Sequence, residues 1–186
     1  PDYRYTANFV DSWSIDEIII LDITRQRNNK HKKIFYKFIE KFSENCFVPL
    51  TVGGWIKSIN DVKELMNIGA DKVSINSGAF TSPNLLEQIS KKYGVQALVI
   101  SIDTKKIGEK EYRVAINQGK TITNRDPFEW AEYCEKNGVG EILLNSVEKD
   151  GWLQGYDLNL LKEMKNKVKI PVIALGGCGN WDHMYQ

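Results

Sequence analysis

Six short apolar runs punctuate the chain: Glu17–Ile23, Leu50–Val52, Lys72–Asn76, Leu98–Asp103, Glu141–Asn145 and Val172–Leu175. They are continuous rather than alternating, the mark of strands buried on both faces, as in a parallel sheet. Between most of them the apolar positions recur with helical spacing. Ile59, Val62, Leu65 and Met66 follow Ser58, a favourable N-cap; Leu85, Leu86 and Ile89 follow Pro83. Phe128, Trp130, Ala131 and Cys134 follow Pro127, and Leu158–Val168 leads into Ile170 and Pro171. Strand alternating with helix predicts βαβ units, with a parallel sheet and helices packed outside it. Pro1–Ser14 reads as too short and irregular for a complete outer helix. The basic stretch Arg25–Lys33 reads as a mobile, solvated loop, in preference to the alternative that its cations help to neutralise an anionic substrate.

The strand starts recur about every 31 residues, the period of a (β/α)8 TIM barrel of roughly 250 residues, although an open doubly wound sheet shares it. An internal repeat favours the barrel. DEIIILDIT resembles GEILLNSV, and VPLTVGGWI resembles IPVIALGGCG, each pair offset by about 123 residues, or four periods. Two duplicated halves of four units close naturally into eight strands. The six runs are then strands 2 to 7, and residues 1–186 are expected to form a single barrel domain lacking strand 1 and strand 8. The interval between Leu98–Asp103 and Glu141–Asn145 is longer than the others. It holds an alternating pair, Tyr112–Ile116 and Lys120–Thr123, joined through Asn117, Gln118 and Gly119, which predicts a hairpin.

Composition removes several classes. With 25 basic and 24 acidic residues, the net charge of +1 lacks the footprint of a nucleic-acid binder. No apolar run is long enough to span a bilayer. Three scattered cysteines and two histidines support neither a disulfide framework nor a metal cluster, so neither metal nor cofactor is expected, and a cytoplasmic protein with reduced thiols is. Cys178 has no base placed beside it and reads as a small turn residue. His183 is expected to open the last helix. Trp13, Trp130 and Trp181 are expected to be packing residues.

Barrel active sites lie at the carboxy-terminal ends of the strands. Those ends carry Asp22, Gly53–Gly54, Asn76–Ser77, Asp103, Asn145 with Asp150–Gly151, and Gly176–Gly177. Glycine turns that expose backbone N–H groups cradle phosphate, and two such turns half a barrel apart suggest a ligand with a phosphate at each end. Asp103, with Lys105 two residues on, is a candidate general acid or base. The repeat places its counterpart on strand 1. At the opposite end, alternate strands open with Glu17, Lys72 and Glu141. Spacing leaves two readings open for these: solvated strand starts, or a charged ring on the barrel floor.

The strings LDIT, LTVGG, GADKVSIN, VISID, GVGEILLNS, KDGWLQGYDL and IPVIALGGCGN, in this order and at these intervals, resemble the cyclase subunit family of imidazole glycerol phosphate synthase. The resemblance implies a (β/α)8 barrel that takes ammonia from a glutaminase partner, as a heterodimer joined at the amino-terminal face. It implies closure of a bis-phosphorylated ribonucleotide to imidazole glycerol phosphate and aminoimidazole carboxamide ribotide. Carried over by motif, Asp103 is catalytic; Gly53, Gly54, Asn76 and Ser77 form one phosphate site; and Gly151, Gly176 and Gly177 form part of the other. Asp22, Lys105, Asn145 and Asp150 are substrate-side positions. Glu17, Lys72 and Glu141 are the ammonia gate, and Asp71 belongs to the partner-facing rim. Three positions depart from the family pattern: Trp55 stands at a usual glycine, Leu175 at a usual serine and Asn145 at a usual threonine. These departures keep two alternatives in view, a paralogous barrel supporting amidation of a surface-polysaccharide sugar and an inactive ammonia-conducting scaffold.

Overall fold

The computed structural model describes residues 15–109 and 111–186; the expectations for Pro1–Ser14 and Trp13 lie outside them. The first half runs β1 (Ile18–Leu21), α1 (Asn29–Ser43), β2 (Leu50–Gly53), α2 (Ile59–Asn67), β3 (Lys72–Ile75), α3 (Ser77–Thr81) and α4 (Asn84–Tyr93). The second runs β4 (Leu98–Lys106), β5 (Tyr112–Ile116), β6 (Thr121–Ile122), α5 (Pro127–Lys136), β7 (Glu141–Ser146), α6 (Leu158–Lys167), β8 (Val172–Leu175) and α7 (Trp181–Tyr185). Strands β1, β2, β3, β4, β7 and β8 lie side by side in chain order, and every contact among them is parallel. A doubly wound sheet would reverse its strand order partway. This sheet does not, and it curls as part of a (β/α)8 barrel.

The two faces of the strands differ in kind. Val52, Val73, Ile75, Leu98, Ile100, Ile102, Ile142 and Leu144 are buried in the core that the helices cover, with Val62, Leu65, Leu86, Ile89, Ala131, Leu160 and Met164 packed in the same cluster. The alternate positions include Thr51, Ser74, Asp103 and Asn145, which are polar yet largely shielded from solvent. Strand periodicity sends these to the other face, the barrel interior. Continuous apolar runs thus hide a polar inner stripe that leads to the strand ends.

Helix starts follow local chemistry. Ser58 and Asp61 form a reciprocal capping box at α2, and Pro127 opens α5 behind an Asp126 cap. Ser58→Ala removes one half of the α2 box and should cost about 1 kcal/mol, read as a lower denaturation midpoint with unchanged slope. The hairpin also forms as expected. Strand β4 is nine residues long because its last four pair antiparallel with β5, from Asp103 against Ala115 to Lys106 against Tyr112.

Two expectations require correction. Arg25–Lys33 is not a solvated loop throughout, because α1 begins at Asn29. Asn28 caps it by accepting from the His31 N–H, and Phe35, Phe38, Ile39 and Phe42 supply an apolar stripe against the core. The dense lysines drew attention away from that stripe. Lys32 lies 2.5 Å from Glu64 and its ammonium sits over the Tyr36 ring. Trp181 is not a buried packing residue, being 71% exposed, whereas Trp130 is buried beside Phe80. His183 falls within α7, whose Asn180 cap accepts from its N–H. No helix among the described residues is long and apolar enough to cross a membrane.

Candidate active site

Asp103 is the meeting point of three strand ends. Register sets it beside Asn145 of β7, whose Nδ2 donates to Asp103 Oδ1 at 3.0 Å. Asn76, directly after β3, donates through Nδ2 to Asp103 Oδ2 at 2.8 Å. Both carboxylate oxygens are therefore held by neutral amides, which orient the group without neutralising it. Burial pushes the carboxyl pKa up, the Asn145 and Asn76 hydrogen bonds pull against it, and the Asp150 carboxylate adds to the rise. The net shift is upward, toward the range where a carboxyl exchanges protons efficiently. Lys105 lies two positions along β4, on the same face by strand alternation, opposite Arg113.

Gly53 and Gly54 end β2 against the end of β1. Gly54 has φ +103°, and a Cβ there would lie 2.4 Å from the Asp22 carbonyl oxygen, so the backbone can turn only as glycine. Asp22 is 8% exposed; its Oδ1 accepts from the Thr24 N–H at 3.0 Å and its Oδ2 lies 3.3 Å from Arg27 Nε. Arg27 also sits over the Tyr36 ring. Trp55 follows the glycines with φ +61°, a region that costs most side chains about 1–2 kcal/mol. Its indole N–H donates to the Thr24 carbonyl at 3.1 Å, tying the β2 turn to the loop after β1.

Across the sheet, Gly176 and Gly177 follow β8 with φ +87° and +104°. A Cβ on Gly176 would lie 2.8 Å from Asn145 Oδ1, a buried atom with no hydrogen-bond partner. The same Cβ would lie 3.4 Å from the Asp150 nitrogen, so Asn145, Asp150 and Gly176 form one corner. Gly151 is exposed, with nothing within 4 Å of its Cβ position, and is not drawn into that corner.

At the other end, Lys72 Nζ lies 3.0 Å from both carboxylate oxygens of Glu17 and 2.6 Å from Glu141 Oε1. Thr51 Oγ1 also donates to Glu17. Burial works against the ammonium, but the hydrogen bonds to Glu141 and Glu17 outweigh it and raise its pKa above the ordinary lysine value. Three strands thus bring three charges into one cluster, where solvated strand starts would leave them apart. Asp71 is exposed and its carboxylate accepts from the Leu50 N–H.

Sequence reasoning selected Asp103 but not its two amide supports as such, and it placed Arg27 only within a basic loop stretch and Gln118 only within a hairpin turn. Arg27 had one signal, a cation five residues after a strand-end aspartate. Gln118 had none beyond its place in a hairpin tip. Among the described residues, no group of three or more His, Cys, Asp or Glu side chains is placed to hold a metal ion.

Residues 2–186 match the sequence profile of the histidine biosynthesis protein family. The imidazole glycerol phosphate synthase subunit HisF of Bacillus cereus (strain G9842) is 45% identical over 171 residues, covering 92% of this chain and 67% of that protein. Its counterpart in Clostridium botulinum (strain Okra / Type B1) is 44% identical over 178 residues, covering 95% and 70%. That of Bacillus cereus (strain Q1) is 43% identical over 171 residues, covering 92% and 67%.

Proposed function

The chain belongs to the histidine biosynthesis protein family, and from that premise we propose that it works as the cyclase of imidazole glycerol phosphate synthesis. It uses ammonia to convert a bis-phosphorylated ribonucleotide into imidazole glycerol phosphate and aminoimidazole carboxamide ribotide. The observation that carries the assignment of roles is Asp103, buried and held between Asn76 and Asn145. A carboxyl with a raised pKa and fixed oxygens moves protons on the substrate as ammonia adds and the ring closes. Gly53, Gly54, Asn76 and Ser77 hold one terminal phosphate, and Gly176 and Gly177, with Gly151 at the margin, hold the other. Asp22, Lys105, Asn145 and Asp150 contact the substrate between them. Turnover of the ribonucleotide with free ammonium tests this reading, and its absence in the folded enzyme would overturn it.

Glu17, Lys72 and Glu141 form a gate for ammonia on the barrel floor. A glutaminase subunit seats over that amino-terminal face as a heterodimer and meets Asp71 on the rim. Three free thiols fit a reducing cytoplasm. Ammonia made by the partner must pass Lys72, whereas external ammonia has the open mouth as a second entrance. Lys72→Ala is therefore expected to change glutamine-dependent turnover several-fold more than ammonium-dependent turnover, in steady-state assays of the complex. Equal losses with both nitrogen sources would assign Lys72 a structural role.

A second reading, amidation of a surface-polysaccharide sugar by a paralogous barrel, draws on Trp55, held at φ +61° beside the first glycine turn. The ribonucleotide assay separates the two.

A further inference from the structure

We propose that the tip of the β5–β6 hairpin is a wall of the cradle formed by Gly53, Gly54, Asn76 and Ser77. In this arrangement Gln118 is a positioning residue that acts through Asn117, Ser77 and Asn76 on Asp103. The inference rests on the reading above that a substrate phosphate occupies this cradle.

A line of hydrogen bonds joins the tip to the carboxylate. The Asn117 N–H donates to Ser77 Oγ at 3.0 Å, and Ser77 Oγ donates to Asn76 Oδ1 at 3.4 Å. Asn76 Nδ2 then donates to Asp103 Oδ2 at 2.8 Å. The Ser77–Asn76 link is the longest of the three, and the line spans from the hairpin to β3 across β4.

Gln118 anchors the tip from the other side. Its Nε2 lies 3.3 Å from the carbonyl oxygens of both Ile23 and Thr24, and Thr24 is the same carbonyl that receives the Trp55 indole N–H. The hairpin tip, the loop after β1 and the turn after β2 therefore converge on one oxygen. Asn117, Gln118 and Gly119 have φ of 54°, 60° and 74°. Asparagine and glycine are at ease there, but glutamine is not. A glutamine at a position where glycine is easier is accounted for by the two carbonyls it holds.

The Ser77 hydroxyl has one proton to donate. Here it donates to the Asn76 amide oxygen. Donated instead to a phosphate oxygen, with the Asn117 N–H still fixing Ser77 from behind, it releases Asn76 and changes the support of Asp103. Contact with a remote phosphate is in this way converted into a change at the reacting end, so part of its binding energy appears in kcat rather than KM.

Gln118→Gly tests this, because it removes the anchor while easing the left-handed turn. Inorganic phosphate is titrated into the wild type and the variant by calorimetry, alongside steady-state turnover with ammonium. The expected result is about tenfold weaker phosphate binding at one site, the worth of one or two hydrogen bonds. The ribonucleotide kcat should fall as well, while thermal stability is unchanged or higher. A residue serving only the fold would lose stability and keep phosphate affinity. Gln118→Met, which keeps the reach without the donor, should reproduce the loss. Wild-type phosphate affinity in both variants would overturn the proposal, and weakened phosphate with wild-type kcat would overturn the link to Asp103. If the wild type fails to turn over the ribonucleotide, the functional reading falls, while the phosphate titration still decides the role of the tip.

Discussion

Asp103→Asn is expected to lower kcat by about 10²–10⁴-fold with little change in KM, the usual worth of one general acid or base. Asparagine keeps the size of the side chain but cannot exchange the proton. The flanking amides can adapt, because Asn145 Oδ1 is buried without a partner and accepts from the new amide once Asn145 turns over. The same substitution should have an opposite effect on stability. Burial raises the Asp103 pKa above its ordinary value of 3.8, so the ionised form of this carboxyl carries a net cost in the folded protein. Between the folded and unfolded values the native state binds the extra proton, and stability therefore rises as pH falls through that window. Asp103→Asn removes this dependence and should raise the unfolding midpoint near neutral pH while turnover collapses. Near wild-type kcat would remove Asp103 from the chemistry. A stability loss at neutral pH would mean that the two amides fail to rearrange.

Gly54→Ala is expected to be strongly disruptive for a single added methyl. Its φ of +103° is unfavourable for any L side chain, and the added Cβ would meet the Asp22 carbonyl oxygen at 2.4 Å and the Asp22 nitrogen at 2.8 Å. Those contacts are backbone, which cannot swing aside as a side chain can. Strain of about 1–3 kcal/mol from the backbone angle adds to overpacking of similar size, a large share of the roughly 5–15 kcal/mol that stabilises a domain. Denaturant titration should show a fall in midpoint, and phosphate binding at this cradle should weaken with it because Asp22 and the β1 end must move. A variant with wild-type midpoint would show that the turn has room that the geometry denies.

The comparison of Asp103 with Gln118 shows how far the chain can be read unaided. Asp103 announces itself as the polar stop to the apolar run Leu98–Ile102, at the strand end where barrel chemistry gathers. Whereas the strand order rested on the internal repeat, the hairpin and the Gly-Gly turns were legible for similar reasons. Each is a local pattern whose cause lies within about ten residues, such as period, turn chemistry or a cap. Arg25–Lys33 shows the opposite case. Its lysines suggest a solvated loop, but Asn28 caps a helix there, and the stripe of Phe35, Phe38, Ile39 and Phe42 fixes that helix to the core.

Sequence by itself determined the parallel strand-helix alternation and the strand ends at which chemistry gathers, because hydrophobic period is a property of neighbouring residues, and its internal repeat favoured a barrel over a doubly wound sheet. Only tertiary structure decided which polar groups meet. Lys72 lies between Glu17 and Glu141 because β1, β3 and β7 converge on one end of a curled sheet. Asp103 lies between Asn76 and Asn145 because the register of β4 with its neighbours aligns three strand ends. Hydrogen bonds of this kind depend on separations of about 3 Å between residues far apart in the chain, and no periodicity encodes them.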